Sequence, residues 1–233
     1  MSRFTAEDTV QRVEAHPFDA PGAAYGFAAG RAPLATLPYA LRGRTPVLAM
    51  GVHAGPGLAA RRSQADAPAL VTRAVLAHYA VVHAAEFAAD GSLAPILQRH
   101  RGAMSYLFVS WLMPDELERL HVSEGVDLAA DYLVLHDLKL EDEVAGLIGE
   151  AGVHLRRAGA LVHRNRPVRV AEVPTAGCTL PALTQHATAR LAHRLVGGAH
   201  EDYPEFVARL VCEPEFRAAT NALLARHGKP LAG

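Results

Sequence analysis

Ser105 to Met113 reads SYLFVSWLM, and it runs directly into Pro114-Asp115-Glu116-Leu117-Glu118-Arg119-Leu120. The first stretch is dense in aromatic and branched residues, which suit a pleated, half-buried surface, and it is the strongest strand in the chain. The second opens on proline with two acidic residues behind it. Proline is tolerated in the first helical turn, and negative charge there meets the positive end of the helix dipole. Leu117 and Leu120, three residues apart, share one face. The spacing predicts that the chain leaves this helix over His121 to Gly125, with Gly125 as the stop. A strand, a short helix and a glycine stop within about twenty residues set the pattern for the rest.

Outward from this point the elements stay short. Upstream, Val47-Leu48-Ala49-Met50 is an apolar run ending at Gly51, read as a buried strand entering a turn. Ala74 to Phe87 combines alanines with Val75, Tyr79, Val81, Val82 and Phe87, and is assigned as strand. Asp90-Gly91 marks a turn. Leu58 to Arg62 reads as a helical turn. Downstream, Asp131 to Leu138 and Val168 to Val173 read as strands. Between them Gly146, Gly149, Gly152 and Gly159 cut the chain into small pieces. From Pro181 onward the pattern turns helical, over Leu183 to Leu195, Tyr203 to Cys212 and Phe216 to His227, with Pro204 and Pro214 as start signals. Residues 1–45 form an arm that begins with a short amphipathic helix over Ala6 to Ala15. The organisation expected is an arm over 1–45, a strand-rich core over 46–175 and a helical extension over 176–233. Strands cluster before helices, so the class is α+β.

Composition removes several functions. The chain has 233 residues, half of them hydrophobic, and a formal charge of −1. No basic face offers itself to a nucleic acid. No apolar run approaches the roughly 18 residues of a membrane helix. The first residues carry Glu7, Asp8 and Glu14 without an apolar stretch, unlike a secretory signal. Cys178 and Cys212 stand far apart and form no CxxC pair, which fits a reducing compartment, and a cytoplasmic location is expected. Thirteen histidines invite a metal test. Neither HExxH nor a cysteine cluster occurs, so no metal and no other cofactor is expected. A histidine-dependent metalloenzyme stays as a distant alternative. No GxSxG elbow supports a serine nucleophile.

Two segments carry chemistry. Gly51-Val52-His53-Ala54 follows a strand, where backbone N–H groups can turn toward a carboxylate or phosphate; His53 either bonds a substrate or caps the turn. Ser123-Glu124-Gly125 lies at a junction between elements, where sites are often built. On local sequence alone Glu124 is an ordinary carboxylate before a glycine.

The order of these segments resembles the γ-glutamylcyclotransferase family. That family opens on a strand ending in a YGSN-type loop, matched here by Leu48-Ala49-Met50-Gly51-Val52-His53. A strand pair through a glycine turn follows, matched by Ala77 to Leu97, and then a strand matched by Tyr106 to Leu112. The family's short helix and acidic E-G signature align with Glu116 to Gly125, and its tyrosine-led strand with Tyr132 to Leu138. The agreement spans about Val47 to Val173 and leaves out the arm and the tail. Of the YGSN signature only Gly51 survives; Met50, Val52 and His53 replace the other residues.

The resemblance implies a mixed fold around a small β-barrel with its site at the barrel mouth. It implies Glu124 as catalytic acid/base, and Met50, Gly51, Val52, His53 and Ala54, with Tyr132, as substrate contacts. The implied partner is a small amine-bearing amide, cyclised with release of an amine. Leu120, Val122 and the strand around Trp111 are expected to give Glu124 an apolar setting that raises its pKa. Oligomeric state is left open. The other reading is a catalytically degenerate relative that binds a small molecule or a protein, and the rewritten loop favours it.

Overall fold

The computed structural model describes residues 7, 9–11, 25–27, 41–50, 69–197 and 201–230. The Gly51 to Ala54 loop, Leu58 to Arg62 and most of the arm lie outside them, although Glu7 and residues 9–11 are helical. The class is α+β, dominated by sheet. Among the described residues the strands of three or more residues are β1 (Tyr25–Phe27), β2 (Thr45–Ala49), β3 (Ala69–Phe87), β4 (Leu93–Leu112), β5 (Ala130–Leu135), β6 (Leu140–Asp142), β7 (Gly146–Ile148), β8 (Ala151–Arg156) and β9 (Ala160–His163). Among the described residues the helices of ten or more residues are α1 (Pro114–Glu124), α2 (Gln185–Leu195), α3 (Tyr203–Cys212) and α4 (Pro214–Leu224).

The long hairpin β3–β4 is the frame. Along β4, residues 103–109 alternate between buried and exposed, as a strand with one face on a core requires. Beyond Val109 the alternation stops: Ser110, Trp111 and Leu112 are all buried. There Val47, Leu112 and Leu120 pack together, so α1 covers the second face. The hairpin turn falls at Asp90-Gly91, where Ala88 N–H donates to Ser92 O at 2.7 Å and the Asp90 carboxylate accepts from Ser92 N–H at 3.0 Å.

β2 lies antiparallel to β4, Thr45 opposite Leu112 and Ala49 opposite Phe108, and parallel to β8 through Val47 and Gly152. β5 and β8 form a second hairpin, which β6 and β7 prolong. Its β6 arm returns to pair with β3, Ala74 opposite Asp142. The hairpin over 130–156 therefore touches β2 with one arm and β3 with the other. A buried network fixes this return. Thr72 Oγ1 donates to the Asp142 carboxylate, and Trp111 Nε1–H donates to Thr72 Oγ1 at 2.8 Å. The second Asp142 oxygen accepts Val144 and Ala145 N–H, both at 2.8 Å.

Several boundaries differ from expectation. Helix α1 continues through His121 to Glu124, because no residue before Gly125 interrupts it. Gly125 then takes the left-handed conformation at φ 68°, its N–H on the last turn's carbonyls. Between Val168 and Val173 only Arg169–Val170 is extended; Val173 N–H turns back to Val170 O. The tail helices share a core with the middle of the chain. Phe206, Val207, Leu210 and Leu224 pack against Ala85, Phe87, Leu93 and Leu161. Apolar burial at this seam docks the tail on the turn end of β3–β4.

Candidate functional site

Helix α1 is anchored at its start and aimed at its end. Glu116, only 3 % exposed, reaches back so that Met113 N–H donates to Oε2 at 2.7 Å. Arg44 donates to the same oxygen at 3.2 Å and to Trp111 O at 2.9 Å. The helix start is thus tied to β4 and to the entry of β2. Its other end presents Glu124.

Glu124 is the candidate the sequence singled out, and its side chain is 11 % exposed. Arg156 at the end of β8 meets it twice: one guanidinium nitrogen donates to Glu124 Oε2 at 3.1 Å, the other to the Glu124 carbonyl at 3.0 Å. A cation at the carboxyl end of a helix is favourable by itself, and here it also holds the carboxylate. Of the expected apolar setting Leu120 is buried, and the rest is corrected. Val122 is 80 % exposed, and Trp111 turns to Thr72. What lies against Glu124 is a guanidinium.

Glu124 and Arg156 border a cavity of about 720 Å³, which Met50 at the end of β2 also lines. This volume lies in the usual range for small-molecule sites. Gly51, Val52, His53 and Ala54 lie outside the described residues. Tyr132 is not on the cavity wall. Its ring packs at a tilt against His121 and His154, with centroids 4.4 and 5.1 Å away, and a Cβ added at Gly152 would strike it. Gly152 is thus the residue that lets Tyr132 lie flat across β8. His121 Nδ1 is 3.0 Å from His154 Nε2, and His154 lines the cavity.

Three cavity residues escaped sequence reasoning. His154 and Arg156 alternate along β8 and so share one face. A two-residue spacing of cationic types in a strand is a usable signal, though glycines on both sides obscured the strand. The third is Glu86, near the end of β3. Burial pushes its carboxyl above the ordinary glutamate value, and Arg156 opposes that rise. A single carboxylate inside the apolar run Val81-Val82-His83-Ala84-Ala85-Glu86-Phe87 was the available signal. The far wall adds Arg217 and Asn221 from α4, so the tail takes part in the cavity. Among the described residues no group of three or more His, Cys, Asp or Glu side chains is placed to hold a metal ion. Among them, too, no helix is long and apolar enough to cross a membrane.

The arrangement can accept a proton on one carboxylate, supply one from another, and hold a small molecule between apolar walls. No protein-family model matches the chain, and no curated protein matches it. A solution structure of a protein from Arabidopsis thaliana is similar to it, with a TM-score of 0.36 and 18 % identity, over 48 % of this chain and 62 % of that one. The chain therefore spans less than two thirds of that protein's length.

Proposed function

We propose that the chain is a γ-glutamylcyclotransferase-like enzyme, cyclising a small amine-bearing amide with release of an amine, with Glu124 as general acid/base. The observation that carries the reading is the meeting of Glu124 and Met50 on one cavity. Met50 follows β2 and precedes Gly51, so the predicted base and the residue before the predicted substrate loop line the same space. The strand pairings add support. With one hairpin arm on β2 and the other on β3, the run β3–β4–β2 is flanked on both sides by the same hairpin, as a small barrel would need.

The chemistry asks little of the protein. The α-amine of a γ-glutamyl group attacks its own γ-carbonyl, so nucleophile and electrophile arrive together and much of the entropy cost is already met. What remains is to deprotonate an ammonium, hold the chain bent and stabilise an oxyanion. An ordinary glutamate titrates at ~4.3 and an α-amine at ~7.7 to 8.0, a gap of about 5 kcal/mol for the proton transfer. Arg156 positions the acceptor carboxylate for that transfer.

The second reading is a catalytically degenerate relative that binds a small molecule or a protein. The guanidinium on Glu124 favours it, because it occupies a lone pair the base would use. Incubating the full chain with a panel of γ-glutamyl amines, and assaying pyroglutamate, separates the two. Release of pyroglutamate is the expected result. A thermal shift with the same compounds and no pyroglutamate would leave a binding protein.

A further inference from the structure

We propose that Glu86 is the second catalytic carboxyl of this cavity, the acid that protonates the departing amine nitrogen. The proposal rests on the cyclotransferase reading of the same cavity and adds a residue to it.

The backbone is built to place this side chain. His83 pairs with Pro95 and Phe87 with Leu93, so β3 spends four steps where β4 spends two. The surplus is a bulge over residues 84–86, and bulges commonly re-aim a side chain beside a site. From Ala80 to Ala85 every residue of β3 is buried, and after the bulge begins Glu86 reaches the cavity. The bulge is held from two sides. Ala85 N–H donates to Gly159 O at 2.9 Å. Asn221 of α4 grips both polar groups of the next residue: Phe87 N–H donates to Oδ1 at 2.8 Å, and Nδ2–H donates to Phe87 O at 3.0 Å. Two separate segments thus fix one irregular turn of strand whose outward product is a carboxyl.

The two carboxyls differ in their partners. Glu124 receives Arg156 on its oxygen, while Glu86 accepts no side-chain hydrogen bond among the described residues. The charged and titratable groups lining the cavity around Glu86 are Arg156 and His154 of β8, Glu124 of α1, Arg217 of α4 and Asp90 of the turn. Burial without a hydrogen-bonded partner favours the protonated carboxyl, consistent with the direction of its shift. A carboxyl kept protonated by burial can serve as the acid beside a second carboxylate.

The step balances. Glu124 takes one proton from the α-ammonium, and the freed nitrogen lone pair forms the bond to the γ-carbon while the carbonyl pair moves to oxygen. As the carbonyl re-forms, the bond to the leaving nitrogen breaks, its pair stays on that nitrogen, and the Glu86 proton joins it. The new ring nitrogen then returns its second proton to Glu86. Glu124 gives its proton to the released amine, which departs as an ammonium.

The test compares two leaving groups on the full chain. A γ-glutamyl alkylamide expels a basic amine and needs the acid; γ-glutamyl p-nitroanilide expels a weakly basic aniline and does not. Glu86→Gln is expected to slow the alkylamide by roughly 10²- to 10⁴-fold and the anilide by less than about tenfold. It is also expected to remove the alkaline fall of the alkylamide pH profile. Equal losses on both substrates, or full alkylamide activity, would overturn the assignment while leaving the cyclotransferase reading intact. If the wild-type chain turns over neither compound, that reading fails and this inference falls with it. Should Glu86→Gln not fold, Glu86→Asp serves: the same selective loss on the alkylamide is expected, and an unchanged ratio overturns the proposal.

Discussion

The two carboxylate walls of the cavity are made by opposite means. On one side Glu124 ends a helix with ordinary start and stop signals and is paired with Arg156. On the other, Glu86 stands in a strand irregularity clamped by a tail helix, with no hydrogen-bonded partner among the described residues. The first wall is encoded locally, within Pro114 to Gly125, and completed by a single residue from β8. The second exists only when residues from β3, β9 and α4, 134 positions apart in the case of Phe87 and Asn221, are brought together. The difference teaches that a site can have one half legible in a dozen residues and the other half written across the whole chain.

The largest break in this contrast comes from the paired wall. Glu124→Gln removes the base and is expected to lower pyroglutamate release by roughly 10²- to 10⁴-fold, with the far-ultraviolet spectrum and cooperative unfolding retained. Full activity in this variant would remove Glu124 from the mechanism. Next in size is the start of the same helix. Glu116 and Arg44 are 3 % and 8 % exposed, so Glu116→Ala strands a buried guanidinium and unties Met113 N–H. A loss of about 3 to 5 kcal/mol in urea unfolding is expected. A loss under about 1 kcal/mol would show that α1 does not depend on that anchor.

How much of this was readable follows from the same division. The strand at Ser105 to Met113 and the proline start of α1 were legible because each is decided by side-chain type within one short window. The end of α1 was misjudged, since His121 to Glu124 contain no helix breaker and only the glycine stops them. Val168 to Val173 looked like a strand on composition, yet its backbone groups turn back on themselves. Arg156 and His154 were hidden because four glycines suggested broken pieces where a continuous hairpin forms. Its glycines serve other ends: Gly152 gives way to the Tyr132 ring. The bulge at Glu86 was unreadable, because a bulge is a relation between two strands and belongs to neither alone. The tail was set apart for its helical pattern, although its apolar faces complete the core at Phe87 and Leu93.

The Glu86 wall is tested next through its clamp. Asn221→Ala leaves the Phe87 N–H and C=O without their side-chain partner, and a loss of about 1 to 3 kcal/mol is expected from denaturant unfolding. Because the seam is shared, helix and sheet signals are expected to move together. Separate transitions would mean that the tail folds apart from the core, and the clamp would then not govern Glu86.

The smallest effect is the sharpest probe of the contrast. Burial raises the folded-state pKa of Glu86 above its unfolded value. Below the unfolded value the carboxyl is neutral in both states, and its contribution to stability is fully present. As pH rises through the folded value, the unfolded chain ionises more easily than the folded one, and that contribution is lost. Glutamine is neutral throughout and nearly the same size. Glu86→Gln is therefore expected to match the wild-type melting temperature near pH 4 and to exceed it by a few degrees at most near pH 8, since the site is partly solvated. Glu124→Gln has no such gain, because it removes the partner of a half-buried guanidinium and is expected to melt lower at pH 8. Opposite signs for two glutamate-to-glutamine changes on one cavity are what a carboxyl hydrogen-bonded to a guanidinium, and one without a hydrogen-bonded partner among the described residues, require. If Glu86→Gln were destabilising at every pH, Glu86 would hold a structural bond, and the two walls would be alike.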